Sequence, residues 1–208
     1  MSAMKKRVVF TGGPGSGKTS VLSALAELGY ACVPEAGRSV IKQQIDLLGT
    51  ALPWDDKTAF RDVMLATDIH QFHAGASIEK RFATDAQKSG SVTFQSTVQG
   101  ESLCFYERGI IDCYGYSLLE ELAMSFMLNH ACQSHRYHPT VFIFPPWQEI
   151  YVNDKERKQD FTTATATYQA MIKAYQAFDY QLVEVPQISV EQRVAFILEE
   201  LNVEAVHY

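Results

Sequence analysis

The first residues able to do chemistry are Gly12-Gly13-Pro14-Gly15-Ser16-Gly17-Lys18-Thr19, which fit the pattern G-x-x-x-x-G-K-[ST]. Glycines let the backbone curl until successive N–H groups converge on phosphate oxygens. A lysine at position 18 reaches the terminal phosphates, and a hydroxyl at position 19 offers a ligand to magnesium. Composition alone produces this pattern in about one chain in a hundred of this length. Its flanks make chance rarer still, because the apolar run Arg7–Thr11 precedes it and helical spacing follows it. Gly12 to Ser20 is therefore expected to form a P-loop that holds ATP, with GTP as the alternative, together with Mg2+.

A triphosphate site that transfers phosphate also needs an acid near the metal and a base for the acceptor hydroxyl. In parallel sheets such groups lie at the carboxyl ends of strands. Glu35 directly follows one expected strand, and Glu107 directly follows another. Arg38, Arg108 and Asp112 lie close to them in sequence, and the charged segment Asn153–Asp160 carries Lys155, Arg157 and Lys158. Each has an alternative. Glu35 suits the N-terminus of the next helix, where the dipole favours a carboxylate. Arg108 suits a structural ion pair, and residues 154–158 suit a solvated helix face. Asp112, which with Gly115 mimics a DxxG pattern, suits a helix start or a contact with the acceptor.

Other candidates fall away on their spacing. His70 and His73 are one helical turn apart with no cysteine or carboxylate at metal spacing, which favours a helix face over a zinc site. His130, His135 and His138 straddle a helix end. Phe142, Phe144 and Trp147 read as core and strand-edge packing.

The elements that must position these groups alternate along the chain. Expected strands are Arg7–Thr11, Tyr30–Pro34, Leu103–Tyr106, Thr140–Phe144 and Gln181–Val185, each a short apolar run beside turn residues. After Gly17, Val21, Leu22, Leu25 and Leu28 recur at helical spacing and Gly29 ends the helix. Further helices are expected at 36–48, 55–82, 114–135, 163–178 and 190–201, with the polar stretch 84–100 as an exposed excursion. Strands alternating with helices specify an α/β domain with a five-stranded parallel sheet between helical layers. Residues 1–208 read as one domain, with 150–162 as a lid segment.

Several of these blocks carry a resemblance. Cys104-Phe105-Tyr106-Glu107-Arg108-Gly109 resembles the acidic-Arg motif of nucleoside and nucleotide kinases. Val33-Pro34-Glu35-Ala36-Gly37-Arg38 is similar to the segment where those enzymes place an acceptor-side acid and arginine. With Val141–Trp147, Asp154–Arg157, Tyr180–Pro186 and Ser189–Val194, the order resembles a family of small bacterial P-loop proteins of AAA ATPase type. That family is similar to the nicotinamide riboside kinase domain of bacterial NAD regulators. The resemblance runs from Arg7 to about Leu201 and implies a P-loop NTPase fold of nucleoside-kinase type. It implies that Glu107 holds magnesium directly or through water, and that Glu35 orients or deprotonates an acceptor hydroxyl. It further implies that Arg38 binds the acceptor or its phosphate, with Arg108 and Asp112 on the same side. Arg157, with Lys155 and Lys158, would close over the phosphates, and the turn Pro186–Ser189 would pack beside the nucleotide base.

Composition bounds the function. The net charge of −6 disfavours a general nucleic-acid binder, which needs a basic face. Cys32, Cys104, Cys113 and Cys132 sit singly, as expected of reduced thiols in a cytoplasmic protein. No apolar run has the length of a membrane span. The expected activity is transfer of the γ-phosphoryl of Mg-ATP to a hydroxyl of a nucleoside-like acceptor. The alternative is a nucleotide-binding regulatory switch, an ATPase or GTPase with no small-molecule acceptor. Asn153-Asp154-Lys155-Glu156 resembles the guanine-reading motif only superficially, and a motor ATPase lacks room for its usual helical domain.

Overall fold

The computed structural model describes residues 7–88, 103–151 and 161–203. Its strands are β1 (Arg7–Gly12), β2 (Ala31–Val33), β3 (Cys104–Glu107), β4 (Thr140–Phe144) and β5 (Gln181–Glu184). They form one parallel sheet in the order β2-β3-β1-β4-β5. The sheet is the five-stranded parallel sheet expected from the sequence, with strand ends shifted by at most one residue. The helices are α1 (Lys18–Glu27), α2 (Ala36–Asp46), α3 (Lys57–Lys88), α4 (Ile110–Leu119), α5 (Phe126–Ser134), α6 (Phe161–Ala177) and α7 (Val190–Glu200).

Side-chain alternation along β1 builds two cores. Val9 joins Tyr106, Val141, Leu65, Ile111 and Tyr175 on the face covered by α3, α4 and α6. Val8 and Phe10 join Phe105, Phe142, Phe144, Leu25 and Ile197 on the face covered by α1 and α7. Helix α7 is fixed at its start by a capping box, in which Ser189 Oγ accepts from the Gln192 N–H and Gln192 Oε1 from the Ser189 N–H.

One element differs from the sequence reading. The helix expected at 114–135 is two helices, α4 beginning at Ile110 and α5 beginning at Phe126. Glu121 takes a left-handed φ of 55° after α4 ends, and the Ser125 hydroxyl then caps α5 by accepting from the Leu128 N–H. The apolar residues between them keep helical spacing in sequence, which hides the break. The earlier start of α4 matters for the site, because it places Asp112 in the first helical turn. Helix α3 also runs to Lys88, so the first residues of the polar stretch 84–100 are helical, and 89–100 lie outside the described residues.

Candidate active site

The loop between β1 and α1 is shaped by contacts that admit no side chain. Gly12 has φ of 125°, and a Cβ there would lie 2.3 Å from the Phe144 carbonyl oxygen. Gly17 has φ of 85°, and a Cβ there would meet the Arg193 guanidinium at 2.7 Å. Arg193 in turn donates from Nη1 to the Ser16 carbonyl at 3.3 Å and lies 5.2 Å over the Trp147 ring. The buried ammonium of Lys18 donates to the Gly13 carbonyl at 2.7 Å and to Ser16 Oγ at 3.2 Å. Burial, then the nearby Arg108 charge, push Lys18 down to about 8 against the pull of Glu107, Glu35 and Asp112.

The strand ends bring the acids to this loop. β3 runs beside β1 with Glu107 opposite Phe10. There the Thr19 hydroxyl donates to Glu107 Oε1 at 2.9 Å. A hydroxyl and a carboxylate converging beside a phosphate loop are a donor set suited to magnesium, which binds few protein oxygens and keeps water and phosphate ligands.

Glu35 stands at the N-cap of α2 but makes no capping hydrogen bond with its side chain. Its carboxylate instead accepts from Arg108 Nε at 3.1 Å, and Arg38 approaches it at 3.7 Å. Arg108 continues to Asp112 Oδ1 at 3.0 Å, so one guanidinium bridges two nearly buried carboxylates. Burial works against the Arg108 charge, and Glu35 and Asp112 more than offset it, holding the guanidinium above its ordinary range. Arg108 also has φ of 67°, a left-handed conformation that a non-glycine residue adopts at a cost.

Asp112 stands in the first turn of α4 and also lines the cavity onto which these groups open. Its carboxylate accepts from the Thr11 hydroxyl at 2.7 Å, Arg108 at 3.0 Å, the Gly109 N–H at 3.1 Å and the Tyr175 hydroxyl at 2.6 Å. Four donors match the capacity of a carboxylate. The side chain therefore locks β1, the Arg108 turn and α6 together.

These groups open onto a cavity of about 530 Å³, within the range of small-molecule sites. Pro14 of the loop, Glu35, Arg108 and Asp112 line it. Trp54, Phe60, Met64, Tyr116 and Met171 supply apolar wall, and Trp54 is 59% exposed at the rim. Asp68 of α3 lines it as well. Of the remaining expectations, Ser20 is exposed beside Thr19. Arg157, Lys155 and Lys158 lie outside the described residues. His70 and His73 are exposed, and no metal-binding group of three or more His, Cys, Asp or Glu occurs among the described residues. The four cysteines are free. No helix among the described residues is long and apolar enough to cross a membrane.

A family model described as AAA domain matches residues 7–193. The chain belongs to that family. No curated protein matches it in sequence. Among solved structures it is similar to the NadR protein in complex with NR, at a TM-score of 0.61 and 14% identity. That match covers 99% of this chain and 54% of the NadR chain. It is also similar to a deoxyadenosine kinase from M. mycoides with the products dCMP and dCDP bound, at a TM-score of 0.54, 12% identity and 94% and 98% coverage. A thymidylate kinase from Ehrlichia chaffeensis matches at 0.52 and 14%, over 95% and 98%. The fold of this AAA-domain protein is thus that of P-loop nucleoside and nucleotide kinases.

Sequence reasoning missed Asp68 and the aromatic wall. An isolated aspartate on a helix reads as a surface charge, yet this one, beside the Cys113 thiol of α4, is only 6% exposed. Burial, then the Asp112 charge, push its carboxyl up to about 8. A folded-state value above the unfolded one gives stability that is fully present below about 3.8 and is lost as pH rises to about 8. Each pH unit in that window costs up to about 1.4 kcal/mol. Asp68→Asn should therefore unfold with a weaker pH dependence than the parent, and its advantage in melting temperature should widen between about pH 5 and about pH 8. Parallel melting curves at all pH values would refute this account of Asp68.

Proposed function

We propose that this protein is a small-molecule kinase that transfers the γ-phosphoryl of Mg-ATP to a hydroxyl of a nucleoside-like acceptor. One observation carries the reading: Pro14 of the phosphate loop lines the same small-molecule-sized cavity as Glu35 and Arg108. A site for hydrolysis alone has no need of a second, organic-sized compartment beside the phosphates. The nucleoside and nucleotide ligands named for the similar structures support the acceptor class.

In this reading Lys18 leaves its intraloop acceptors to neutralise charge on the transferred phosphoryl. Thr19 and Glu107 hold Mg2+, which supplies charge stabilisation to the phosphates when bound. Glu35 positions the acceptor hydroxyl and takes its proton, and Arg108 holds Glu35 in place. Arg38, half-exposed beside Glu35, would contact the acceptor or its phosphate in this reading. The apolar wall excludes water and grips a ring.

Lys18→Ala should weaken Mg-ATP binding by about tenfold or more, the value of a charge-assisted contact to phosphate. Calorimetric titration measures it, with a melting curve to confirm folding. Wild-type affinity in a folded variant would remove the loop from the account.

A further inference from the structure

Arg193 is a buried charge that the transfer step does not use. It stands near the start of α7 and forms no ion pair with a carboxylate among the described residues. Its Nε, also buried, has no hydrogen-bond partner there. Burying a guanidinium with one donor unsatisfied costs stability. A local cost of this kind is expected where a side chain serves a site.

What Arg193 does touch is the back of the phosphate loop. Its Nη1 donates to the Ser16 carbonyl at 3.3 Å, and its guanidinium fills the space that a Cβ on Gly17 would need. The Trp147 ring, in the loop after β4, lies 5.2 Å from the guanidinium carbon and steadies it by a cation–π contact.

The hydrogen bond decides which way one peptide faces. The unit joining Ser16 to Gly17 is planar and trans, so its C=O and its N–H point to opposite sides. With the carbonyl held on the α7 side, the Gly17 N–H is turned to the other side of the loop. Gly15 and Gly17, at φ of 70° and 85°, are left-handed residues of the kind that anion-binding backbone nests use. Without a partner for the Ser16 carbonyl, a loop of glycines is free to turn this peptide over.

We infer that Arg193 is a positioning residue that holds the Ser16 carbonyl outward and so presents the Gly17 N–H to the phosphates of the nucleotide, with Trp147 holding Arg193 in place. Arg193 acts from behind the loop, through Ser16, and is not itself a phosphate ligand. The inference rests on the phosphate loop of the kinase reading and needs no acceptor.

The probes are Mg-ADP and Mg-pyrophosphate, which has the phosphates without a base, each titrated calorimetrically into the full-length protein. Arg193→Met keeps the side-chain stem and removes the donor. It should weaken both probes about tenfold, the value of one charge-assisted hydrogen bond. The loss should persist at about 0.5 M salt, where the general attraction of a cation for phosphate is screened. In proton–nitrogen correlation spectra the Gly17 amide should move downfield when pyrophosphate saturates the wild type, and should stay near its free position in saturated Arg193→Met. Should a melting curve show that Arg193→Met does not fold, Trp147→Leu decides, with a several-fold loss for both probes and a reduced Gly17 shift. Unchanged pyrophosphate affinity, a loss that salt abolishes, or an undiminished Gly17 shift overturns the inference. A loss confined to Mg-ADP overturns it as well, and makes Arg193 a contact to the base. The expected losses without acceptor-dependent ADP release would defeat the kinase reading alone. Acceptor-dependent ADP release with a pyrophosphate affinity indifferent to Arg193 would defeat this inference alone.

Discussion

Glu35→Gln should lower acceptor-dependent turnover by about 10²–10⁴-fold, the usual contribution of a positioned general base. The loss should fall on kcat, because the amide still fills the same space in the cavity wall but cannot take a proton. The structure argues for this role through what Glu35 does not do: its carboxylate caps no helix and is held by Arg108 at the cavity. Glu35→Asp keeps the proton acceptor but withdraws it by one methylene, so its kcat should lie between the two. A folded Glu35→Gln protein with wild-type kcat would assign Glu35 to a structural role.

Removing the bridging guanidinium should have the largest effect on stability. Arg108→Met leaves Glu35 and Asp112 buried without their shared cation, and breaking a buried pair in this way costs about 3–5 kcal/mol. Arg108→Gly loses the same charge but relieves the left-handed backbone at φ of 67°. It should therefore be less destabilised than Arg108→Met by about 1 kcal/mol. Urea unfolding of the two variants separates the electrostatic and backbone contributions. If Arg108→Met unfolded at the wild-type midpoint, the bridge would not hold the site together.

What could be read from the sequence was what is local in the chain. The strands showed because buried parallel strands are apolar runs bounded by turn residues, and Val8–Phe10 and Val141–Phe144 have that form. The phosphate loop showed because eight consecutive residues carry it. Glu35 and Glu107 showed because each lies at or just past the carboxyl end of an apolar strand. The break between α4 and α5 did not show, since Leu118, Leu119 and Leu122 keep helical spacing across it, although Ser125 before Phe126 was an available capping signal. Asp112 looked like a choice between helix start and ligand because its four donors come from β1, α6 and its own turn. Asp68 and Trp54 were invisible for the same physical reason. A pocket assembled from α3, α4, α6 and the loop after α2 has no spacing in sequence, only in space.

The account turns on whether phosphate leaves the loop for the cavity. Wild-type protein with Mg-ATP should be assayed for ADP release with and without ribosides, deoxynucleosides and nucleoside monophosphates, and the products identified by mass. The account predicts that at least one nucleoside raises ADP release about tenfold or more above acceptor-free hydrolysis, with an equal amount of phosphorylated nucleoside formed. ADP release at the same rate with every acceptor and with none would contradict it and leave a nucleotide-hydrolysing switch in its place.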